Sequence, residues 1–491
     1  MSTKQPAMGF KRDLGLFDAT MLVVGSMIGS GIFIVSADIA RTVGSAGYLM
    51  LVWLITGVVT VIGALSYGEL AGMMPQAGGQ YVYLREAYNP LIAFLYGWTL
   101  FLVIQTGSIA AVGVAFAKFT SVLIPAVGED RILLELGTFK VNAAQVLAIT
   151  CIAFLTWYNT RGLREGKILQ DTFTFTKTAA LLGLILLGLT VARNPHAITA
   201  NLQDFWNTSL AHFPDPNTVS GAPLSGVMLL SAIGVAMVGS LFACDAWNNV
   251  TFTAGETRNP RRAIAISLGL GAGIVVVLYM LANLAYILIL PVAGSSAAMD
   301  VIGQGIQFAA NDRVGTAAAS LIFGAPAAII MAVFIMVSTF GCNNGMILTA
   351  ARVYYAMARD GLFFRSTGSL NSKAVPGVAL VVQGIWSCAL CLSGRYGDLL
   401  DYVIFAVLIF YILTIIGIYR LRRMQPDAER PYKAFGYPVL PALYVLACTA
   451  VCVALLIFKP RYTWPGMIIV LLGIPVYYLW RRASRASAAT P

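Results

Sequence analysis

Charged residues are scarce in this chain, and histidine is almost absent. Asp, Glu, Lys and Arg together make up 11% of the 491 residues, hydrophobic residues make up 58%, and the only histidines are His196 and His212. A soluble globular protein of this composition would lack polar cover for its surface. Together with a mean hydropathy of +0.80, the composition indicates a polytopic helical membrane protein.

Cysteine is missing from the segments between the long apolar stretches. All seven cysteines lie within predicted membrane spans, so no disulfide framework is implied. No spacing of cysteine and histidine suits zinc, and we find no catalytic constellation such as a histidine with a metal or a serine with a base. We therefore expect no metal, no cofactor and no enzymatic activity.

Long apolar stretches, in contrast, are abundant. Twelve of them reach about 20 residues, the length that crosses a hydrocarbon core of roughly 30 Å. They run over 14–38, 46–73, 90–124, 143–160, 167–192, 226–255, 263–290, 316–357, 376–394, 397–421, 437–458 and 464–482. The first stretch lacks a small-residue cleavage site, so we expect a retained helix rather than a signal peptide.

The net charge of +11 is distributed in a way that predicts topology. If both termini are cytoplasmic, 22 of the 32 Lys and Arg residues fall in cytoplasmic segments and nine in extracellular ones, as the positive-inside rule requires. We therefore expect a multi-pass protein of the cell membrane with both termini in the cytoplasm. The positive charge then requires no nucleic acid partner.

The first apolar stretch contains a segment that is poor in helix formers. Three glycines and two serines occur in Gly25-Ser-Met-Ile-Gly-Ser-Gly31, and lipid would heavily penalise backbone groups freed there unless protein, water or a ligand meets them. The segment predicts a broken helix with a binding site at mid-membrane depth. The alternative is a close helix contact of the Gly-xxx-Gly kind, which Gly25 and Gly29 also fit.

A second segment of this kind lies in the sixth stretch, Phe242-Ala-Cys-Asp-Ala-Trp-Asn-Asn249. Its Asp and Asn side chains compete with the helix backbone for hydrogen bonds, and an acid at the bilayer centre is unfavourable without partners or water. Two interrupted helices, five helices apart, are typical of an inverted repeat around a central site. The sequence therefore predicts an all-α integral membrane protein with 12 transmembrane helices, a five-plus-five inverted repeat and discontinuous helices 1 and 6.

This repeat divides the chain into seven regions. They are a cytoplasmic N-terminal tail (1–13), the first repeat with helices 1 to 5 (14–192), an extracellular loop (193–225), the second repeat with helices 6 to 10 (226–421), a cytoplasmic linker (422–436), helices 11 and 12 (437–482) and a cytoplasmic C-terminal tail (483–491).

The two breaks together can hold a zwitterion. Backbone N–H groups of Gly29, Ser30 and Gly31 open the outer half of helix 1, whose positive dipole end suits a carboxylate. Carbonyl groups at the end of the first half of helix 6, at Phe242 and Ala243, suit an ammonium group. The residues that we place in the same substrate site are Ser26, Ile28, Asp245, Trp247 and Asn248.

Five segments over helices 1 to 8 carry a family resemblance through their motifs, their order and their spacing. They are Gly25 to Phe33, Pro75-Gln-Ala-Gly-Gly-Gln-Tyr-Val-Tyr83, Phe242 to Asn249, Gly255-Glu-Thr-Arg-Asn-Pro-Arg-Arg262, and Asn344 to Leu362. This pattern resembles the amino acid–polyamine–organocation (APC) superfamily, and most closely its L-type amino acid transporters and their bacterial relatives. The resemblance implies a core of helices 1 to 10, with helices 11 and 12 packed outside it.

The resemblance also implies roles for single residues. It implies the same division of the site between carboxylate and ammonium, an outer gate at Phe242, and a pocket shaped by Trp247 and Asn248. Glu256 and Arg258 resemble an inner-gate element. Ordinary helix packing is the alternative for the aromatic and amide side chains.

Lys177 is an isolated charge inside helix 5. It follows Lys167 by ten residues, which is roughly 15 Å along a helix, and a buried ammonium must find carbonyls, hydroxyls or a carboxylate. The expected acceptors are carbonyls near Gly25 and the hydroxyls of Ser338 or Thr339. The resemblance implies that this lysine replaces the metal ion that related sodium-driven transporters hold between helices 1 and 8. Simple snorkelling is the alternative, and whether Lys177 releases its proton during transport stays open.

We therefore expect a sodium-independent transporter of neutral L-amino acids that works by alternating access, as an exchanger or a facilitator. The alternative is a proton-coupled or exchange transporter of cationic amino acids or polyamines, because Asp245 puts a carboxylate within reach of a side-chain amine. The loop 125–142 has no cysteine, whereas the resemblance implies that animal members are tethered to a glycoprotein partner by a disulfide there. We expect no disulfide-linked heavy subunit, and the expected partners are an amino acid substrate and the lipid bilayer.

Overall fold

The computed structural model describes residues 9–136, 139–393 and 396–489. Within these ranges, ten helices are long and apolar enough to cross a membrane. Helix 9 (Gly377–Ser393) is a shorter apolar helix, and helix 1 consists of two short parts, Leu16–Met27 and Val35–Val43. Together they complete the twelve spans, and they confirm the predicted all-α membrane fold.

The remaining bounds follow the predicted spans closely. Helices 2 to 6 run over Ala46–Met73, Pro90–Leu123, Ala143–Thr160, Leu163–Thr190 and Gly226–Ala243, and helix 6 continues as the 3-10 helix Trp247–Glu256. Helices 7, 8, 10, 11 and 12 run over Pro260–Ile289, Ala327–Arg359, Tyr396–Met424, Val439–Phe458 and Pro460–Ala489. Short helices outside the spans are Gln80–Ala87, Pro195–Gln203 and Val314–Phe323. Strands β1 (Ile132–Leu136) and β2 (Phe139–Asn142) pair antiparallel between helices 3 and 4.

The prediction for the eighth span is wrong in one respect, because the span contains a break. The sequence predicts one helix over 316–357, but the structure divides it into Val314–Phe323 and Ala327–Arg359. Gly324 separates the two with a φ of 66°, a left-handed conformation that glycine adopts without steric cost. Pro326 follows at the N-cap of the longer helix, where its fixed φ suits the start of a helix. Apolar character continues across the break, so hydropathy alone does not detect it.

Helix starts explain several of the other bounds. Asn89 Oδ1 accepts a hydrogen bond from the N–H of Ile92 at 3.0 Å, and Pro90 occupies the first turn of helix 3. At the start of helix 4, Asn142 and Gln145 form a reciprocal capping box with two bonds of 2.9 Å. These side chains satisfy N–H groups that have no acceptor within their own helix.

The two broken helices lie inside the bundle. The first part of helix 1 contacts helices 5, 7 and 8, and the second part of helix 6 contacts helices 1, 7 and 8. Helix 2 packs along helix 7, and helix 3 packs along helix 8. The breaks therefore face each other at the centre of the molecule.

After twelve crossings the chain ends on the side where it began, which we call the N-side; the opposite side is the far side. On the far side, Arg41 joins the end of helix 1 to the segment before helix 8. Its guanidinium donates to Asp312 Oδ1 at 2.6 Å and to the Gln307 carbonyl at 2.7 Å. On the N-side, Leu14 bonds to Glu256, and Glu256 pairs with Arg352, so helices 1, 6 and 8 are connected there.

Candidate functional site

Helix 1 is interrupted at the predicted segment. Its hydrogen-bond ladder stops where the N–H of Ile28 donates to the Val24 carbonyl at 3.0 Å. It resumes with a 3-10 turn in which Phe33 and Ile34 donate to the carbonyls of Ser30 and Gly31 at 3.1 and 3.0 Å. The N–H groups from Gly29 onward therefore open a new helix, where the first N–H groups lack intrahelical acceptors. A carboxylate is the natural ligand of such a helix start.

Helix 6 is interrupted by a residue in an unusual conformation. Asp245 N–H donates to the Phe242 carbonyl at 3.1 Å, and the next residue, Ala246, has a φ of 67°. Alanine rarely adopts this left-handed conformation because of its Cβ. The chain then continues as the 3-10 helix from Trp247. Strain of this kind concentrates at functional sites, and here it ends the first half of helix 6 beside the helix 1 break.

Two small cavities adjoin at the breaks. The first, of about 30 Å³, is lined by Ser26, Met27, Gly29, Ser30, Gly31, Ser108, Val112, Phe242, Ala243, Asp245, Ala246, Cys342 and Met346. The second, of about 20 Å³, is lined by Gln80, Tyr96, Leu100, Ile104, Gln105, Ser108, Asp245, Ala246, Asn248, Asn249, Met346, Val407 and Tyr411. Asp245 lies between the two, which makes it the acidic side chain common to both.

Some buried polar atoms at these cavities have no hydrogen-bond partner. Among the described residues, the buried Ser26 Oγ and Asn249 Nδ2 have no hydrogen-bond partner. A buried polar atom without a partner is unfavourable, and a polar ligand in the adjoining cavity would supply one. The arrangement can therefore bind a small zwitterion, with the carboxylate at the helix 1 break and the remainder toward Asp245.

Asp245 is held by a residue of helix 10. The hydroxyl of Tyr411 lies 2.6 Å from Asp245 Oδ1 and 3.1 Å from Asn248 Oδ1. Asn248 Nδ2 in turn donates to Gln80 Oε1 at 2.8 Å, and Gln80 Nε2 donates to the hydroxyl of Thr414 at 3.1 Å. A network of side chains from helices 6 and 10 and from the short helix Gln80–Ala87 therefore supports the acid.

Most of the predicted substrate residues line the two cavities, and two do not. Ile28 is fully buried, and its carbonyl accepts from Lys177 Nζ at 2.6 Å, so the structure groups it with the lysine rather than with the cavities. Trp247 borders a third, smaller cavity with Tyr411. Its ring lies 4.7 Å from Tyr67 and 5.2 Å from Tyr411, so it supports the tyrosine that holds Asp245.

Lys177 is fully buried at the helix 1 break. Its ammonium lies 2.5 Å from the Gly25 carbonyl oxygen, 2.6 Å from that of Ile28 and 3.3 Å from that of Ser338. The ammonium therefore joins helices 1, 5 and 8, and the snorkelling alternative does not apply.

The prediction that hydroxyl groups accept from Lys177 is wrong. Lys177 uses the Ser338 carbonyl, whereas the Ser338 hydroxyl donates to helix 1, 3.0 Å from the Gly29 carbonyl oxygen. The Thr339 hydroxyl donates within its own helix, to Ile335 at 2.7 Å. The Ser338 hydroxyl uses its hydrogen on the helix 1 break, and backbone oxygen rather than hydroxyl oxygen accepts from the ammonium.

The glycines of the helix 1 segment have different surroundings. A Cβ at Gly25 would collide with Gln170 and Thr174 of helix 5, and one at Gly31 would lie 2.8 Å from the Cβ of Ala243. At Gly29 the nearest atom would be Cys342 Sγ, at an ordinary 3.4 Å. The helix-packing alternative therefore holds at Gly25, whereas Gly29 has room beside the cavity.

On the N-side, Glu256 pairs with Arg352 of helix 8. Both side chains are 1% exposed, and two bonds of 2.8 Å join the carboxylate to the guanidinium. Arg258 lies at the surface instead, where its N–H donates to the Leu14 carbonyl at 2.8 Å. The Glu256 carbonyl accepts from Leu14 N–H at 3.0 Å. Both residues thus attach the start of helix 1 to the end of helix 6.

Asp13 adds a weaker ion pair next to this junction. The Lys11 ammonium, 3.1 Å away, lowers the pKa of the Asp13 carboxyl by hydrogen bonding, and Arg258 at 3.6 Å contributes less.

Sequence reasoning missed Tyr411, Gln80 and Gln105 as site residues. Gln80 lies within a segment that carried the family resemblance. Gln105 is a polar residue inside a largely apolar span, directly after the π-helical turn Leu100–Ile104. Such turns are frequent at functional sites. Tyr411 carries no local signal, because tyrosine is common in the membrane spans of this chain.

Comparison with known proteins agrees with this geometry. The amino acid permease family model matches residues 14–477. The chain is 27% identical to the mouse b(0,+)-type amino acid transporter 1 over 481 residues, covering 98% of this chain and 90% of the relative. It is 28% identical to the human large neutral amino acids transporter small subunit 2 over 475 residues, covering 96% and 80%. A match over nearly the whole length, on a fold with the two expected breaks, establishes that this chain belongs to the amino acid permease family of the APC superfamily and is a transporter rather than an enzyme.

Proposed function

We propose that this protein is a sodium-independent transporter of neutral L-amino acids that works by alternating access, as an exchanger or a facilitator. The observation that carries the proposal is the meeting of the two helix breaks at one site. The helix start at Gly29 to Gly31 offers N–H groups to an α-carboxylate, and the end of the first half of helix 6 at Phe242 and Ala243 offers carbonyls to an α-ammonium.

The contacts of Lys177 support independence from sodium. Its ammonium already occupies the carbonyl oxygens of Gly25 and Ile28 at 2.5 and 2.6 Å. A sodium ion would need oxygen ligands of this kind, and a fixed positive charge among them repels a second cation. We assign Lys177 the role that a bound cation has in sodium-driven relatives, with the Ser338 carbonyl as a further acceptor.

The surroundings of Asp245 support neutral substrates. The Tyr411 hydroxyl at 2.6 Å gives the carboxylate a donor, so a substrate side chain does not have to supply one. The second candidate is transport of cationic amino acids or polyamines, and it is favoured by the position of Asp245 on both cavities.

Alternating access requires gates on both sides of the site. We assign Phe242 as the far-side gate because it is only partly buried and borders the cavity at the end of the first half of helix 6. Glu256 and Arg258 are assigned to the N-side gate because both contact Leu14 at the start of helix 1. We further propose that the protein lies in the cell membrane with the N-side toward the cytoplasm, as the basic residues favour. The loop without cysteine supports function without a disulfide-linked subunit.

A competition panel in proteoliposomes tests these assignments together. The purified chain alone is reconstituted, and uptake of labelled leucine or alanine is measured with and without internal amino acid, in sodium, potassium or choline buffer. We expect saturable uptake that neutral L-amino acids compete and that is equal in the three buffers. Steep sodium dependence would contradict sodium independence. Stronger competition by arginine and diamines than by leucine would contradict the preference for neutral substrates. Liposomes without protein are the control.

A further inference from the structure

The hydroxyl group of Tyr411 has one hydrogen and lies near two acceptor oxygens. Its hydroxyl oxygen lies 2.6 Å from Asp245 Oδ1 and 3.1 Å from Asn248 Oδ1. A tyrosine hydroxyl carries a single hydrogen, so it donates to one of these oxygens at a time. Asp245 and Asn248 therefore compete for it.

The network behind Asn248 keeps its amide oxygen turned toward Tyr411. The amide nitrogen donates to Gln80 Oε1 at 2.8 Å, and Gln80 Nε2 donates to Thr414 Oγ1 at 3.1 Å. The Thr414 hydroxyl ends this chain of donors at the Phe410 carbonyl, 2.7 Å away. Because the Asn248 amide nitrogen faces Gln80, its Oδ1 is the atom that faces Tyr411 as an acceptor.

The ring of Tyr411 is held in place, so only its hydroxyl hydrogen has to turn. The ring centre lies 5.2 Å from that of Trp247 and 5.9 Å from that of Tyr67, and the residue is 6% exposed. Rotation of one O–H bond between two acceptors needs no backbone movement. The site can thus change the donor available to Asp245 without changing its shape.

We propose that Tyr411 is a specificity-determining residue that lets one site accept both neutral and cationic amino acids. With a neutral substrate, Tyr411 donates to Asp245 and satisfies the carboxylate. With a cationic side chain beside Asp245, the cation supplies the donor, and Tyr411 turns to Asn248 Oδ1. This inference rests on the proposed function, because it assumes that amino acids bind at the helix breaks.

Tyr411→Phe removes the hydroxyl and keeps the ring. Asp245 then lacks its donor unless the substrate brings one, and a hydrogen bond to a charged group is worth enough to change affinity about ten- to a hundredfold. We expect leucine affinity to fall by about tenfold or more, and the ratio of arginine to leucine affinity to rise by at least as much. Asn248→Ala removes the competing acceptor, so the ratio of arginine to leucine affinity should fall about tenfold.

Two comparisons separate this role from simple damage to the site. In an Asp245→Asn background, Tyr411→Phe should leave the arginine to leucine ratio within about twofold, because no carboxylate remains to be satisfied. Tyr67→Phe is the matched control: its ring belongs to the same aromatic group, and among the described residues its hydroxyl has no hydrogen bond to Asp245 or Asn248. It should leave the ratio unchanged.

Affinities are measured by competition against labelled leucine on purified protein, and the thermal shift caused by arginine or leucine gives a second readout that does not require transport. An equal loss for both amino acids in Tyr411→Phe would overturn the proposal, as would a ratio change that persists with Asp245→Asn or appears with Tyr67→Phe. A parent protein that binds leucine but not arginine would overturn this proposal and leave the proposed function standing. A parent protein that binds neither amino acid would overturn the proposed function itself, which distinguishes the two failures.

Discussion

Replacing Lys177 by alanine should disable substrate binding without unfolding the protein. The change removes the donor of two short bonds, of 2.5 Å to Gly25 and 2.6 Å to Ile28, together with a longer one to Ser338. The Gly25 carbonyl, left buried without this donor, is unfavourable by about 1–3 kcal/mol, whereas the Ile28 carbonyl still accepts from the Ser338 hydroxyl at 3.2 Å. The folded state also no longer has to bury an ammonium, which by itself is unfavourable by several kcal/mol. The two effects oppose each other in global stability, so we expect a modest change in melting temperature.

The effect of Lys177→Ala on the helix 1 break is not offset by the removal of the buried ammonium. The two bonds hold the carbonyl side of the helix 1 break, and its N–H side is the proposed carboxylate site. If their loss raises the free energy of the ordered break by about 3 kcal/mol, the upper end of the range for one unsatisfied buried carbonyl, the ratio of ordered to disordered break falls about a hundredfold. Apparent affinity falls by up to the same factor, because only the ordered fraction binds.

The assay is equilibrium binding of labelled leucine to purified protein, with uptake into proteoliposomes as the second measurement. Lys167→Ala is the matched control, since Lys167 is a lysine of the same helix that also contacts helix 1, through Asp18 at 2.9 Å. That pair is partly exposed, and surface ion pairs contribute about 0–1 kcal/mol, so we expect at most a few-fold change. A Lys177→Ala protein that binds leucine within threefold of the parent would refute the reasoning.

Three further predictions concern the two breaks. Gly29→Val should abolish leucine binding with little change in melting temperature, because the added side chain starts beside the cavity, 3.4 Å from Cys342 Sγ; an unchanged dissociation constant would contradict the carboxylate site. Asp245→Asn should reduce leucine uptake only a few-fold while weakening competition by arginine about tenfold or more, and equal losses for both would show that the acid does not distinguish them. Ala246→Gly should raise thermal stability by up to about 1 kcal/mol, because it relieves a left-handed alanine; a lower melting temperature would show that the alanine side chain contributes packing instead.

The helix breaks are the part of the site that could be predicted locally. Glycine and serine between 25 and 31, and Asp, Asn and Asn between 245 and 249, oppose a continuous helix wherever the segment is placed. The long apolar stretches and the distribution of basic residues likewise indicate twelve membrane spans without any knowledge of packing. Gly324 shows the limit, because one glycine within an apolar stretch is compatible with either a continuous helix or a break.

The partners of each polar side chain were decided by the tertiary structure. Lys177 had to find acceptors in a membrane interior, and this much follows from its position in the sequence. That Lys177 uses the Ser338 carbonyl, while the Ser338 hydroxyl donates to helix 1, depends on how helices 1, 5 and 8 pack at the break. In the same way, Glu256 pairs with Arg352, 96 residues away in sequence, and not with its neighbour Arg258.

Tyr411 is the clearest case of information held only by the fold. It lies 166 residues from Asp245 in the chain, and nothing in its surroundings on helix 10 distinguishes it from other membrane tyrosines. The sequence by itself determined that a buried acid at Asp245 would need a donor, because an unpaired carboxylate is unfavourable inside a bilayer. Only the approach of helix 10 to the helix 6 break decided which residue supplies that donor, since hydrogen bonding requires a separation of about 3 Å that no sequence pattern specifies.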